Sequence, residues 1–264
     1  MPSLNPSLDR ICGTLSSIFE NWGEYEVVLV LQKTSPQVKS DIEKYFNYDS
    51  RLRIISDLSV GISRARNIAI KASKGDWILL LDDDIRIKKD VIQNLNRKLP
   101  SYPLFYYGNA FIHGTNTPYV KHYIANRNLS IWSYNRVCSI SLVINRKVFE
   151  EVGYFDEMLG SGRELGSSEE SDFILRALLH KVEIRYLSGY SVYHEKAEHS
   201  LRKVESYAMG GGALCRKHFN SRDVKLYIKF MLDLALRVVF LFSFNRKRYV
   251  FLRGFFKGFL RYRR

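Results

Sequence analysis

Between Val27 and Ile144 the chain returns again and again to short apolar runs, and the gaps between several of them have the length and periodicity of a single helix. The runs are Val27 to Leu31, Ile54-Ile55, Trp77 to Leu81, Phe105 to Tyr107 and Ser139 to Ile144, and each reads as a strand. Helical patterns cover Leu8 to Glu20, Ser35 to Tyr45, Ile62 to Ala72 and Lys89 to Leu99. Strand alternating with helix predicts an α/β layer with a mostly parallel sheet flanked by helices. Beyond Phe149 the strand signal fades into the loop "FDEMLGSGRELGSS", a helix from about Glu169 to His180 and a strand-like "VEIRYL". The 264 residues, 46% of them hydrophobic, suffice for one large domain or for one domain and an appendage. Cys12, Cys138 and Cys215 are far apart and in no metal-ligand spacing, which points to a reducing compartment. The opening residues do not have the pattern of a secretory signal.

The run Trp77 to Leu81 ends in three adjacent acids, Asp82, Asp83 and Asp84. One Asp is enough to form a turn; three repel one another. In open α/β sheets ligands sit outside the carboxyl ends of strands, where a divalent cation makes such a cluster tolerable. A turn and a metal site are both consistent with the triplet alone. A second acidic cluster stands in "GSSEESDFILRALLHK", where Ser167 and Glu170 have capping-box spacing. A helix N-terminus facing a cleft would also hold Glu169 and Glu170 in a fixed place.

The net charge of +14 is unevenly spread. Residues 216–264 hold 14 Lys/Arg against two Asp, a net +12, which leaves +2 for residues 1–215. That asymmetry suits a protein that meets an anionic surface through one end. In "KLYIKFMLDLALRVVFLFSF" the charges of Lys229, Asp233 and Arg237 recur every four residues, which excludes a lipid-exposed span. Arg253, Lys257 and Arg261 repeat the stripe among Phe and Leu. We therefore expect residues 216–264 to form a basic amphipathic helical tail in the membrane interface. The competing arrangement is a helical pair packed on the body with a solvated basic edge.

Read in order, "PSLN", "GISRARNIAIKASKGDWILLLDDD", "VFEEVGYFDE", "EESDFILRAL" and "YHE" resemble the successive signatures of family 2 glycosyltransferases with the GT-A fold, of the bacterial surface-polysaccharide type. The resemblance covers about residues 1–215 and implies a Rossmann-like catalytic domain there. It implies that Asp82 and Asp84 bind a divalent cation, Mn²⁺ or Mg²⁺, and through it the donor diphosphate. Asp83 would contact ribose or metal, and Pro2 and Asn5 would belong to the donor site. Arg66 would reach the nucleotide end of the donor, with Asn67 packed beneath it. Glu170 takes the place of the catalytic base of inverting members and Glu169 the place before it. His194 matches a histidine that completes the metal shell, although a hydrogen-bonded histidine at a strand end fits the residues equally well.

The reaction needs these residue types. Breaking an anomeric carbon to phosphate bond builds negative charge on the leaving group, which a cation offsets, while a carboxylate opposite takes the acceptor's proton. Two features depart from the family pattern. Members open with four or five apolar residues before the "PSLN" turn, whereas here Met1 stands directly before Pro2, so the first strand is short or begins upstream. Gln32-Lys33 stand where many members carry a base-recognising Asp, which leaves the nucleotide open. A Gln-x-x-Arg-Trp motif is absent, which favours transfer of a single sugar. The expected partners are a nucleotide-sugar donor, a glycan or lipid-linked acceptor and an anionic membrane surface, with the protein peripheral on the cytoplasmic face. A sugar nucleotidyltransferase would need a Gly-rich basic loop after the first strand, and "PSLNPSLDRICG" offers none. A nucleic-acid-binding module is disfavoured by the near-neutral body, so no nucleic acid is expected.

Overall fold

The computed structural model describes residues 1–99, 104–120, 125–196, 200–219, 221, 223–239 and 246–263. The stretch 240–245, which closes the long apolar run of the tail, and the side chain of Arg237 lie outside the described residues. The first half of the chain forms strands β1 (Pro2–Leu4), β2 (Val27–Gln32) and β3 (Leu52–Asp57), joined in that order as a parallel sheet. Helices α1 (Leu8–Phe19), α2 (Pro36–Tyr45) and α3 (Ile62–Ala72) alternate with them. Val27 to Gln32 are buried throughout, as a strand covered on both faces must be. β1 is short, and Met1 extends its pairing by accepting from the Val30 backbone N–H at 2.9 Å.

The second sheet is mixed. It contains β4 (Trp77–Leu79), β5 (Ile85–Ile87), β6 (Phe105–Ile112), β7 (Leu142–Asn145) and β8 (Ile184–His194) in the order β4-β7-β6-β8-β5. Only β6 and β8 run parallel; the pairs β4 with β7, β6 with β7 and β5 with β8 are antiparallel. Helices α4 (Val91–Lys98), α5 (Arg146–Val152) and α6 (Glu169–Leu179) flank this sheet. Phe105, Phe149, Phe155 and Phe173 pack as one aromatic cluster, with the Phe173 ring 4.8 Å from Phe149 and 5.0 Å from Phe155. Burying each ring contributes roughly 1.5–3 kcal/mol, and the cluster fixes α6 against the sheet.

The capping box expected at Ser167 does not form. The N-cap of α6 is Ser168 in a left-handed conformation (φ 73°) without a side-chain cap bond, and the Ser167 hydroxyl donates to the Tyr207 carbonyl at 3.0 Å. Helix packing at that point outweighs the local cap.

Three helices follow: α7 (Leu201–His218), α8 (Val224–Val239) and α9 (Arg246–Arg261). The boundary expected at 215/216 falls inside the continuous α7. α9 lies hard against α7, since a Cβ on Gly258 would come within 1.9 Å of the Met209 carbonyl oxygen and one on Gly212 within 1.9 Å of the Phe255 carbonyl oxygen. Gly258→Leu should therefore push the helices apart and cost about 1–3 kcal/mol, or more if the backbones cannot separate. Thermal unfolding and amide exchange of α9 check this, and unchanged values would mean that the helices do not meet there.

The expected basic stripe is solvent-exposed on α9 but partly paired with acids of the body. Arg253 pairs with Glu205 at 2.9 Å, Lys257 with the same carboxylate at 3.8 Å, and Arg261 with Glu164. Lys229 is held by Asp233 at 2.6 Å. Beside exposed basic residues such as Lys225, Arg246, Lys247, Arg253 and Arg261, α8 and α9 also expose apolar side chains: Val224, Tyr227, Ile228, Met231, Leu232, Tyr249, Phe256 and Leu260. No described helix is long and apolar enough to cross a membrane.

Candidate active site

β4 delivers the Asp triplet to the turn before β5, and the β5–β8 register sets Ile85 opposite His194, so the histidine comes to the triplet's last carboxylate. His194 Nε2 lies 3.0 Å from Asp84 Oδ1, and Nδ1 is 2.6 Å from the Glu195 carbonyl oxygen. Burial disfavours charge on both members of this pair. Their hydrogen bond and attraction outweigh it, raising the His194 pKa and lowering that of Asp84. Arg10, in the first turn of α1, reaches Asp84 at 2.6 Å and Asp83 at 3.0 Å. Asp83 also accepts from the Ser3 hydroxyl, and burial with two acidic neighbours still raises its pKa. Thr14, fully buried, donates to the Asp83 carbonyl at 2.8 Å and fixes the turn to α1.

Arg66, on α3, joins the two acidic clusters. Its side chain is 1% exposed; Nη2 donates to Asp82 and to Ser139 Oγ, each at 2.9 Å, and Nη1 to Glu169 at 2.9 Å. Burial works against its charge, but Asp82, Glu169 and Glu170 outweigh it and raise its pKa. The resemblance gives Arg66 a place at the nucleotide end of a donor; the structure sets its guanidinium between the carboxylates, with Nε buried and without a partner. Removing either carboxylate would leave a buried, half-paired cation at a cost of about 3–5 kcal/mol. Asn67 faces another way, donating to the Phe155 carbonyl at 2.9 Å and accepting from the Phe155 N–H at 3.0 Å, so it ties α3 to the loop before Gly160. At Gly160 (φ 101°) a Cβ would meet Ser63 at 2.9 Å and Glu169 at 3.1 Å, so glycine lets that loop lie against the carboxylate.

Glu169 and Glu170 open α6. Glu170 is half-buried, and burial followed by the charge of Glu169 pushes its carboxyl up to about 8. Asp172, further along the same turn, has a different role. It is fully buried, contacts His218 at 2.8 Å, Arg176 at 2.9 Å and Lys217 at 2.9 Å, and these partners hold its pKa far below the usual carboxylate range despite burial. Lys217 also reaches Asp156 at 2.7 Å, and the Tyr262 hydroxyl donates to Asp156 at 2.9 Å. These bonds fasten α7 to α6 and Tyr262 to the loop that precedes it.

Of the other expected donor residues, Pro2 is buried in β1, while Asn5 is exposed at φ 45° with its N–H on the Gln32 carbonyl at 3.2 Å. Gln32 itself is buried; it donates to Asp57 at 3.1 Å and accepts from the Gly61 N–H at 3.2 Å. By type, two aspartates and an imidazole suit Mg²⁺ or Mn²⁺. No three such groups converge as a metal cluster among the described residues, because Asp82 turns to Arg66 while Asp84 faces Arg10 and His194. The donor set thus fits a divalent cation chemically, with Arg10 and Arg66 now supplying the neutralising charge.

A parallel sheet and a mixed sheet thus meet near an acidic turn, with a second acidic cluster at the start of α6 tied to it through Arg66. The sequence model of Glycosyl transferase family 2 matches residues 1–159, more than half of the chain, and the chain belongs to that family. The uncharacterized glycosyltransferase EpsJ of Bacillus subtilis (strain 168) is 27% identical over 111 residues, covering 42% of this chain and 32% of that protein. The chain thus spans about a third of the length of this curated relative. The crystal structure of S. aureus TarS 1-349 in complex with UDP-GlcNAc matches with TM-score 0.62 at 20% identity, over 86% of this chain and 67% of that one. The mannosyltransferase PcManGT from Pyrobaculum calidifontis, in complex with GDP-Man and Mn²⁺, matches with TM-score 0.65 at 13% identity, over 96% and 72%. At these identities the solved structures show the shared fold, and they agree with the α/β, GT-A architecture expected from the sequence.

Proposed function

We propose that this chain is a metal-dependent, inverting glycosyltransferase that moves a single sugar from a nucleotide-sugar donor to a lipid-linked glycan acceptor. Its setting would be polysaccharide or surface-glycan assembly on the cytoplasmic face of the membrane. The observation that carries the reading is the Arg66 bridge: one buried guanidinium sets Asp82 and Glu169 at 2.9 Å each, so a donor-side and an acceptor-side acidic cluster face a common space. The neighbours solved with UDP-GlcNAc and GDP-Man support the donor class. Asp82 and Asp84 would hold the cation with His194 beside them; when bound, it supplies positive charge against that developing on the departing diphosphate. Glu170 would take the acceptor hydroxyl proton as its oxygen attacks the anomeric carbon from the opposite side. Glu169, paired with Arg66, would keep Glu170 in place and its proton affinity high.

Purified full-length chain should cleave at least one member of a nucleotide-sugar panel when Mg²⁺ or Mn²⁺ is present. A panel left intact with either metal would sink the reading. Membrane association rests on the exposed apolar side chains of α8 and α9. The double change Val224→Glu with Leu260→Glu, at positions 68% and 77% exposed, should weaken co-sedimentation with anionic vesicles by more than about tenfold. High salt should loosen the wild-type chain only partly, because screening acts on charge and not on apolar insertion. Equal sedimentation of wild type and double variant would remove the membrane from the proposal.

A further inference from the structure

Two cavities lie end to end beneath the tail helices. The first, of about 170 Å³, opens at the start of α6, where Asn135, Ser168, Ser171 and Asp233 line it. The second, of about 280 Å³, is walled by apolar side chains, among them Cys215, Met231, Phe259 and Leu260. Phe230, Leu234 and Phe255 line both. The inner end is lined by Ser168 and Ser171, which flank the candidate base Glu170 in sequence at the start of α6. Tyr207, which also lines it, has its hydroxyl pKa raised by burial and then by the charge of Glu170. The outer end emerges on the exposed apolar surface: Phe219, Tyr227, Met231, Phe256 and Leu260 line the second cavity and are 40% to 77% exposed.

The polarity of this groove changes along its length. A water-soluble glycan would leave the apolar half uncovered, and a simple hydrocarbon would set apolar atoms against the polar inner half, which holds Asn135, Ser168, Ser171 and Asp233. An amphiphile satisfies both, and it has the right direction: polar end at the start of α6, the helix that carries Glu170, and apolar end toward the surface that would meet lipid. We propose that the groove between α7, α8 and α9 binds the hydrocarbon chain of the acceptor lipid, with its sugar presented at the Ser168–Ser171 end. The assignment of the sugar end rests on the proposed transfer reaction; the chain-binding site does not.

The test uses the full-length chain and octyl, decyl and dodecyl β-maltoside, each below its micelle-forming concentration, with binding read by titration calorimetry. Each added CH₂ should tighten binding by about fourfold, and the gain should level off once the groove is filled. Leu234→Trp, which fills the junction of the two cavities, should weaken dodecyl maltoside binding by at least about tenfold. Met231→Glu places a charge at the exposed mouth, where the fold tolerates it, and should do the same. Equal affinity across the three chain lengths would overturn the groove, and so would undiminished binding in both variants. Maltoside binding by a protein that cleaves no nucleotide sugar would keep the chain site but overturn its place in glycosyl transfer.

Discussion

Asp84→Ala should abolish sugar transfer and weaken donor binding while the protein stays folded. Asp84 is the carboxylate on which His194 and Arg10 converge, at 3.0 and 2.6 Å, so its loss removes a proposed cation ligand and the group that orients the imidazole. The expected fall in kcat/KM is on the order of 10³ or more, as when a group that stabilises developing charge is deleted. The fold should survive because Arg10 is half-exposed and can turn to water. Wild-type enzyme in excess EDTA should show the same loss, and full activity under EDTA would remove the cation from the mechanism. Asp84→Asn separates charge from shape: it keeps an oxygen toward His194 and should still be impaired.

Glu170→Gln should lower turnover by about 10² to 10⁴ with donor affinity preserved, since the amide keeps the shape of the carboxyl but cannot accept a proton. Near-normal turnover would move the base elsewhere. Asp172 is a poor substitute, being fully buried and saturated by Arg176, Lys217 and His218. The pH profile offers a second check. With its carboxyl pushed up to about 8, Glu170 becomes a base only as pH rises, so the wild-type rate should climb through about pH 8. Stability should move the opposite way. The folded carboxyl keeps its proton to about 8, whereas an unfolded one releases it near 4.5, so folding stability falls as pH rises through that window. Glu170→Gln should flatten both slopes, and a profile that it leaves unaltered would assign the ionisation to another group.

How much of this was legible beforehand depends on the range of the interaction concerned. Helix α3 runs from Ile62 to Ala72 as expected, because its apolar periodicity is local. The Asp82–Asp84 turn was marked by composition alone, and His194, at the end of β8, pairs with Asp84, a contact that both readings of that histidine allow. Arg10, Ser3 and Ser139 were not found: each is an ordinary residue in its own segment and reaches an acid only through the fold. Ser167 misled for a related reason, since its spacing to Glu170 is a sound local signal that a contact with Tyr207, 40 positions away, overrides. The second sheet's direction escaped because apolar runs say where strands are and not which way they run. The tail's periodic charges were visible, but periodicity does not reveal that Glu205 and Glu164 stand opposite them.

The fastening of the tail has a consequence for how such proteins diversify. Lys217 and His218 at the end of α7 close on Asp172 of α6, and Lys217 and Tyr262 both close on Asp156 in the loop before it, so the segment between them leaves and returns beside the helix that carries Glu169 and Glu170. Closing a longer loop costs little more than closing a shorter one, roughly 0.6 kcal/mol for each doubling of length. Insertions and deletions in the connections between α7, α8 and α9, outside the contacts of α9 with α7, can therefore accumulate without loosening the carboxylates. Descendants of one ancestral chain could lengthen, shorten or re-face that segment to suit new partners while inheriting the same chemistry unchanged.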